Sequence, residues 1–68
     1  MMLTVVVNGE EREVPPGTTV LELLKALAIG PEPVAVEVNS VVVRRARHAE
    51  HHLSAGDRIE IVTLVGGG

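Results

Sequence analysis

The chain has 68 residues, which is enough for one small domain, and 46% of them are hydrophobic, which favours a folded domain over a disordered segment. It has no Cys, which excludes disulfides and thiolate metal sites, and no Phe, Trp or Tyr, so aliphatic side chains must form the core. A net charge of −3 and the lack of aromatic stacking platforms give no support to nucleic-acid binding.

The first seven residues are apolar, but they have neither the basic lead-in nor the length of a signal-peptide core. No apolar stretch approaches the length that spans a bilayer. We therefore expect a cytoplasmic protein with no membrane partner.

The chain begins with the pattern of a β-hairpin. Residues 3–7 are rich in β-branched side chains and predict a first strand. Asn8-Gly9 favours a tight turn because both residues tolerate positive φ. Residues 11–14 then return as a second strand, which Pro15-Pro16-Gly17 ends because proline cannot donate to a ladder.

A helix is predicted next. Thr19 and Glu22 have the spacing of a capping box. They lie at the start of an apolar stripe with helical spacing, formed by Val20, Leu23, Leu24 and Leu27. We predict that this stripe packs on the core. Gly30-Pro31 is expected to end this helix.

The second half of the chain predicts three more strands. Residues 34–38 alternate, so that Val36 and Val38 are expected to point inward and Glu37 outward. Asn39-Ser40 turns the chain into a fourth strand at 41–45, or into a short edge strand in its place. The last strand is predicted over 58–64.

This element order predicts an α+β domain, a mixed sheet with one main helix packed on one face. We expect the first and last strands to pair in parallel at its centre, since both are strongly aliphatic. The opposite face of the sheet has no predicted cover. We predict that four aliphatic residues there form a partner-docking patch beside the carboxyl terminus: Val6, Val42, Val62 and Leu64.

Polar residues lead from the fourth strand to the fifth. Arg44, Arg45 and Arg47 are interpreted as a solvated face in preference to an anion site. His48 and His52 would share a face if this segment were helical, but no third metal ligand is obvious apart from Glu50. We therefore predict no metal site and a solvated loop, pinned to the core by Leu53.

The chain finishes with Val65-Gly66-Gly67-Gly68. We interpret residues 1–64 as the folded domain and 65–68 as a flexible tail, because consecutive glycines are costly to order. Its extended reach is roughly 13 Å. Lacking Cβ atoms, the glycines can thread a narrow channel and deliver the carboxylate of Gly68 to another protein's active site. A carboxylate is a poor electrophile, so such chemistry requires activation.

Several stretches, taken in order, carry a family likeness: Asn8-Gly9, Pro16-Gly17-Thr18-Thr19-Val20 with Leu23-Leu24, Val36-Glu37-Val38-Asn39 with Val41-Val42, and Leu53 through Asp57-Arg58-Ile59-Glu60-Ile61 to Val65-Gly66-Gly67-Gly68. Together they resemble the ThiS family, the ubiquitin-like β-grasp sulfur carriers of thiamine biosynthesis. The likeness spans essentially the whole chain. One departure is the third glycine, Gly66, since many relatives have two; it leaves open whether Gly68 or, after trimming, Gly67 is the functional end.

The resemblance implies a protein cosubstrate and not an enzyme. A ThiF-type adenylyltransferase would activate the carboxylate of Gly68 with ATP and magnesium, which the partner and not the carrier would bind. A persulfide-bearing protein would then supply sulfur to form a thiocarboxylate, and a ThiG-type thiazole synthase would receive that sulfur. The alternatives are a carrier for tRNA thiolation or molybdopterin synthesis, and a ubiquitin-like protein modifier.

Overall fold

The computed structural model describes residues 1–29 and 33–64. Within these residues, five strands and one α-helix occur in this order: β1 Leu3–Val7, β2 Glu10–Val14, α1 Val20–Ala26, β3 Val34–Val38, β4 Val41–Val43 and β5 Arg58–Thr63. β4 takes the shorter of the two predicted forms: it ends at Val43, and a 3₁₀ turn occupies Arg45–Arg47. No helix in the described part of the chain has the length and apolar character needed to cross a bilayer.

The strands form one mixed sheet in the order β2-β1-β5-β3-β4. β1 and β5 are parallel neighbours at its centre, with Val6 opposite Arg58 and Val7 opposite Ile59. β5 is also paired with β3, in antiparallel register from Ile59 to Thr63. The predicted mixed sheet with parallel first and last strands is therefore confirmed.

The core lies between α1 and one face of this sheet. Successive side chains of a strand point to opposite faces of the sheet, so every second residue points toward the core. Val36 and Val38 are buried and Glu37 is exposed, as predicted. α1 contributes Val20, Leu23 and Leu24. The side chains that exclude water most completely are Leu23, Ile59, Val5, Val20 and Val36.

Both hairpin turns have backbones that few residue types tolerate. Asn8 and Gly9 have φ of 49° and 84°, and Asn39 and Ser40 have φ of 53° and 68°. Two successive positive φ values define the turn that matches the twist of paired strands. Asparagine at the first position of each turn is therefore the expected residue, and the predicted turns are confirmed.

Helix α1 begins as predicted and ends early. The Thr19 hydroxyl accepts from the Glu22 N–H at 3.2 Å, and the Glu22 carboxylate accepts from the Thr19 N–H at 2.9 Å. At the other end, Ala28 adopts φ of 56° and its N–H donates to Lys25, while Ile29 donates to Leu24. This pair of bonds closes the helix before the predicted stop at Gly30-Pro31, which lies outside the described residues.

The polar segment before β5 is not the solvated loop that its composition predicts. His48 is 4% exposed, and its Nε2 lies 2.9 Å from the carbonyl oxygen of Val43. Since a carbonyl only accepts, Nε2 carries the hydrogen. The carbonyls of His48 and His51 accept from the N–H groups of Leu21 and Val20, at 3.0 and 2.9 Å.

The segment therefore caps the amino terminus of α1. An isolated helix leaves its first N–H groups without acceptors. Here two acceptors are backbone carbonyls, so the polar side chains gave no sign of this role. Leu53 is buried, which confirms that it pins the segment to the core. Arg44, Arg45 and Arg47 are exposed, as predicted.

Replacing His48 by Ala should lower the free energy of unfolding by about 2–3 kcal/mol, because it removes a buried side chain and leaves the Val43 carbonyl without its donor. Urea denaturation measures this loss. The matched control is His52→Ala, at an exposed position four residues away, which should change the free energy of unfolding by less than about 0.5 kcal/mol. Equal effects of the two substitutions would contradict the assigned role.

Candidate functional site

Strand β5 leads directly to the glycine-rich end of the chain. It is the middle strand of the sheet, between β1 and β3. The N–H of Leu64 donates to the carbonyl of Pro33 at 2.8 Å, so the backbone is held to the sheet up to the last described residue before the glycines. The predicted reactive residue Gly68, with Gly66 and Gly67, lies outside the described residues, and its role stays a prediction.

Two asparagine side chains hold β5 from opposite sides. From the β1–β2 turn, Asn8 accepts from the N–H of Ile61 at 2.8 Å and donates to the carbonyl of Ile61 at 3.2 Å. From the β3–β4 turn, Asn39 accepts from the N–H of Arg58 at 2.9 Å and donates to the Asp57 carboxylate at 3.0 Å. Each amide uses both its donor and its acceptor on β5 or the residue before it.

The sequence pattern predicts these asparagines as turn residues only. Their second role requires that each turn lie beside β5, which depends on strand order. One feature of the sequence could have predicted the contact of Asn8 with β5. The turn that follows β1 begins with asparagine, and the predicted parallel pairing of β1 with β5 brings the end of β1 next to β5.

The outer face of the sheet, opposite α1, exposes most of the predicted docking patch. Val42, Val62 and Leu64 are 64%, 57% and 49% exposed, and Val6 is half-buried. By strand alternation all four lie on the outer face, as expected. Their role in docking is still a prediction.

The strand register divides the four residues into two groups. Val62 is opposite Ala35, and Leu64 follows two residues later, so these three are neighbours at the end of β5. Val42 is opposite Glu37 and hence diagonal to Ala35, at roughly 7–8 Å. Together Ala35, Val42, Val62 and Leu64 form what we call the tail-side cluster.

Val6 is separate from this cluster. It is paired with Arg58, four residues before Val62, which places it roughly 13 Å away along the strand direction. Its partner on β2 is Glu11. Charged side chains therefore flank Val6 on both neighbouring strands.

Acidic side chains border the tail-side cluster. Glu37 and Glu60 are register partners on β3 and β5, so their carboxylates lie side by side on the outer face. Like charges directly opposite each other in a sheet are destabilising. Within residues 1–29 and 33–64 the one ion pair joins Arg47 and Glu50 at 3.6 Å, so neither carboxylate is neutralised there. A cationic side chain from another protein would relieve this repulsion.

The described residues contain no group of three His, Asp or Glu side chains that converges on a metal-sized site. The Nε2 of His48 is hydrogen-bonded to the carbonyl of Val43, and His52 lies at the surface. The arrangement that remains is a rigid sheet whose central strand carries an exposed aliphatic cluster with an acidic border and leads to the glycines.

Comparison with known proteins gives matches over nearly the whole chain. The model of the ThiS family matches residues 5–68. A crystal structure of the thiamine biosynthesis protein ThiS from Geobacter metallireducens is 32% identical, with a TM-score of 0.82, and the match covers 97% of this chain and 100% of that one.

Two proteins named thiazole synthase are also similar. The one from Paramagnetospirillum magneticum is 39% identical over 66 residues, and the one from Magnetococcus marinus is 44% identical over 61 residues. The matches cover 97% and 90% of this chain, but only 20% and 19% of those proteins. The chain thus spans about a fifth of the length of these relatives.

Proposed function

Because the chain belongs to the ThiS family of thiamine biosynthesis, whose members are small β-grasp sulfur carriers, we propose that Gly68 is the residue that carries the sulfur. The observation that supports this most is that the family match runs through the glycines to residue 68. The chain acts as a protein cosubstrate, with the chemistry performed by the enzymes that receive its tail.

Loading begins at the carboxylate of Gly68. A ThiF-type adenylyltransferase uses ATP and magnesium to form an acyl-adenylate and releases pyrophosphate. The acyl-adenylate is electrophilic because AMP is a good leaving group. The terminal sulfur of a persulfide-bearing protein attacks the acyl carbon and displaces AMP, which forms an acyl disulfide. A second thiol then attacks the donor's sulfur in that disulfide, so that the S–S bond breaks, a new disulfide forms on the donor side and the carrier leaves as a thiocarboxylate.

The outer face provides the docking surface for these enzymes. The tail-side cluster lies where β5 leads into the glycines, so an enzyme that covers Val62 and Leu64 has its active site within reach of the tail. The side-by-side carboxylates of Glu37 and Glu60 favour a basic rim on that enzyme. The chain's net charge of −3 acts in the same direction.

In the cytoplasm, a ThiG-type synthase takes the sulfur from the carrier and uses it to form the thiazole. Support comes from the two relatives named thiazole synthase, each of which contains a segment similar to this chain. A protein that includes both a carrier-like segment and the synthase suggests that the two act on each other. The alternatives are tRNA thiolation, molybdopterin synthesis and protein modification.

Intact-mass measurement tests this proposal. One sample of the chain is incubated with a ThiF-type enzyme, ATP, magnesium, a persulfide donor and a thiol reductant, and a second sample with the same mixture without ATP. We expect an ATP-dependent gain equal to the mass of sulfur minus that of oxygen, located by fragmentation at Gly68. Attachment to a lysine of another protein would instead support the modifier, and no adduct of either kind would reject the carrier.

A further inference from the structure

The ladder between β1 and β5 continues beyond the point where β1 turns away. The N–H of Asn8 donates to the carbonyl of Ile59 at 2.9 Å, as in a regular parallel pair. In a continued ladder the next bond would join the N–H of Ile61 to the backbone carbonyl of residue 8. At φ of 49° the backbone of Asn8 is already in the turn, and the side-chain oxygen accepts this bond instead, at 2.8 Å.

The side-chain amide of Asn8 thus takes the place of the missing peptide group of β1. A primary amide offers the same donor and acceptor as a peptide bond, and Asn8 uses both of them on Ile61. Ile61 is the last residue of β5 with a buried side chain. After it, the described backbone is held from the β3 side, through the Leu64 bond to Pro33.

We infer that Asn8 is a positioning residue: its amide holds the end of β5, and so directs the tail toward the enzyme that loads Gly68. The loading part of this inference rests on the proposed function. The contact between Asn8 and β5 can be measured independently of the proposed function.

Asn39 provides a matched control. It has the same residue type, a similar φ of 53° and the same use of one donor and one acceptor. Its contact on β5 is the N–H of Arg58, three residues before Ile61 and at the opposite end of the strand from the tail. Glycine tolerates positive φ, so Asn8→Gly and Asn39→Gly keep each turn and remove each amide.

Amide hydrogen exchange on the full chain tests the holding of β5. In Asn8→Gly we expect the N–H of Ile61 to exchange about tenfold faster, and that of Leu64 to follow, relative to the buried reference Val5. In Asn39→Gly the acceleration should occur at Arg58 and leave Ile61 unchanged. Unchanged protection of Ile61 in Asn8→Gly would overturn the inference.

Steady-state loading by the ThiF-type enzyme tests the consequence for the tail. We expect Asn8→Gly to lower kcat by roughly tenfold with KM for the carrier unchanged, since the docking face is intact while the tail is delivered less accurately. Asn39→Gly should leave both constants unchanged. Equal kcat values for the two variants would show that Asn8 has a structural role alone and overturn the inference. If the unsubstituted chain is not loaded at all, the proposed function fails, and the exchange comparison still decides whether Asn8 holds β5.

Discussion

We expect a chain that lacks Gly67 and Gly68 to be neither adenylated nor converted to a thiocarboxylate, while its fold is unchanged. The shortened chain ends Val65-Gly66, so a β-branched side chain lies one residue from the terminal carboxylate. It also loses roughly 6–7 Å of reach. Both changes keep the carboxylate out of a channel that admits only glycine, and intact-mass analysis after incubation with enzyme and ATP measures the loss.

The matched control is a chain with one glycine removed, which still ends in two glycines. We expect it to be loaded within about tenfold of the full chain, because Gly66 mainly adds length. Thermal unfolding should be the same for all three chains, since all of them keep residues 1–64 and the contacts described within them. Loading of the two-residue deletion at an undiminished rate, or restored thiazole production in cells that depend on it, would refute the proposed function.

The second large effect is expected at neighbouring positions of β4. Val42 and Val41 are 64% and 65% exposed, but they lie on opposite faces of the sheet. Val42→Asp adds a carboxylate to the tail-side cluster, next to Glu37. It should weaken the complex with the adenylyltransferase at least tenfold, because an unpaired carboxylate in an apolar contact is costly to desolvate.

Val41→Asp is the control for this substitution. It has the same chemistry, the same strand and nearly the same exposure, so any general effect on the fold should be equal in the two variants. We expect its affinity to match that of the unsubstituted chain, as measured by titration calorimetry. Rising salt should also weaken the unsubstituted complex, given the carboxylates of Glu37 and Glu60. Equal weakening by both substitutions would reject the outer face as the docking surface.

Local patterns in this sequence predicted the elements closely because each carries its own physical cause. Asn8-Gly9 and Asn39-Ser40 form the predicted turns, since asparagine tolerates the positive φ at the first position of each turn. Thr19 and Glu22 form the predicted capping box through neighbouring bonds alone. The end of α1 was predicted less well, because Ala28 takes a backbone conformation that usually belongs to glycine.

The polar segment before β5 shows where such patterns fail. His48 reads as a surface residue in a run of charged and polar neighbours, yet it is buried against Val43. Its carbonyl accepts from the N–H of Leu21, so this residue lies against the amino terminus of α1. The amino-acid composition of a segment does not predict which of its backbone groups form hydrogen bonds with another element.

The candidate site also combines features that the sequence predicted with features that depend on the tertiary structure. The glycines and the aliphatic alternation of β5 are properties of the sequence. They predicted a deliverable carboxylate and an outer docking face, and the resemblance to the ThiS family added the role of a sulfur carrier. The tertiary structure decided which exposed aliphatic residues are neighbours, grouping Val42 with Val62 and Leu64 and separating Val6, because contact across a sheet depends on register between strands distant in sequence. It also decided that Asn8 holds Ile61, a contact between residues 53 positions apart that no local pattern specifies.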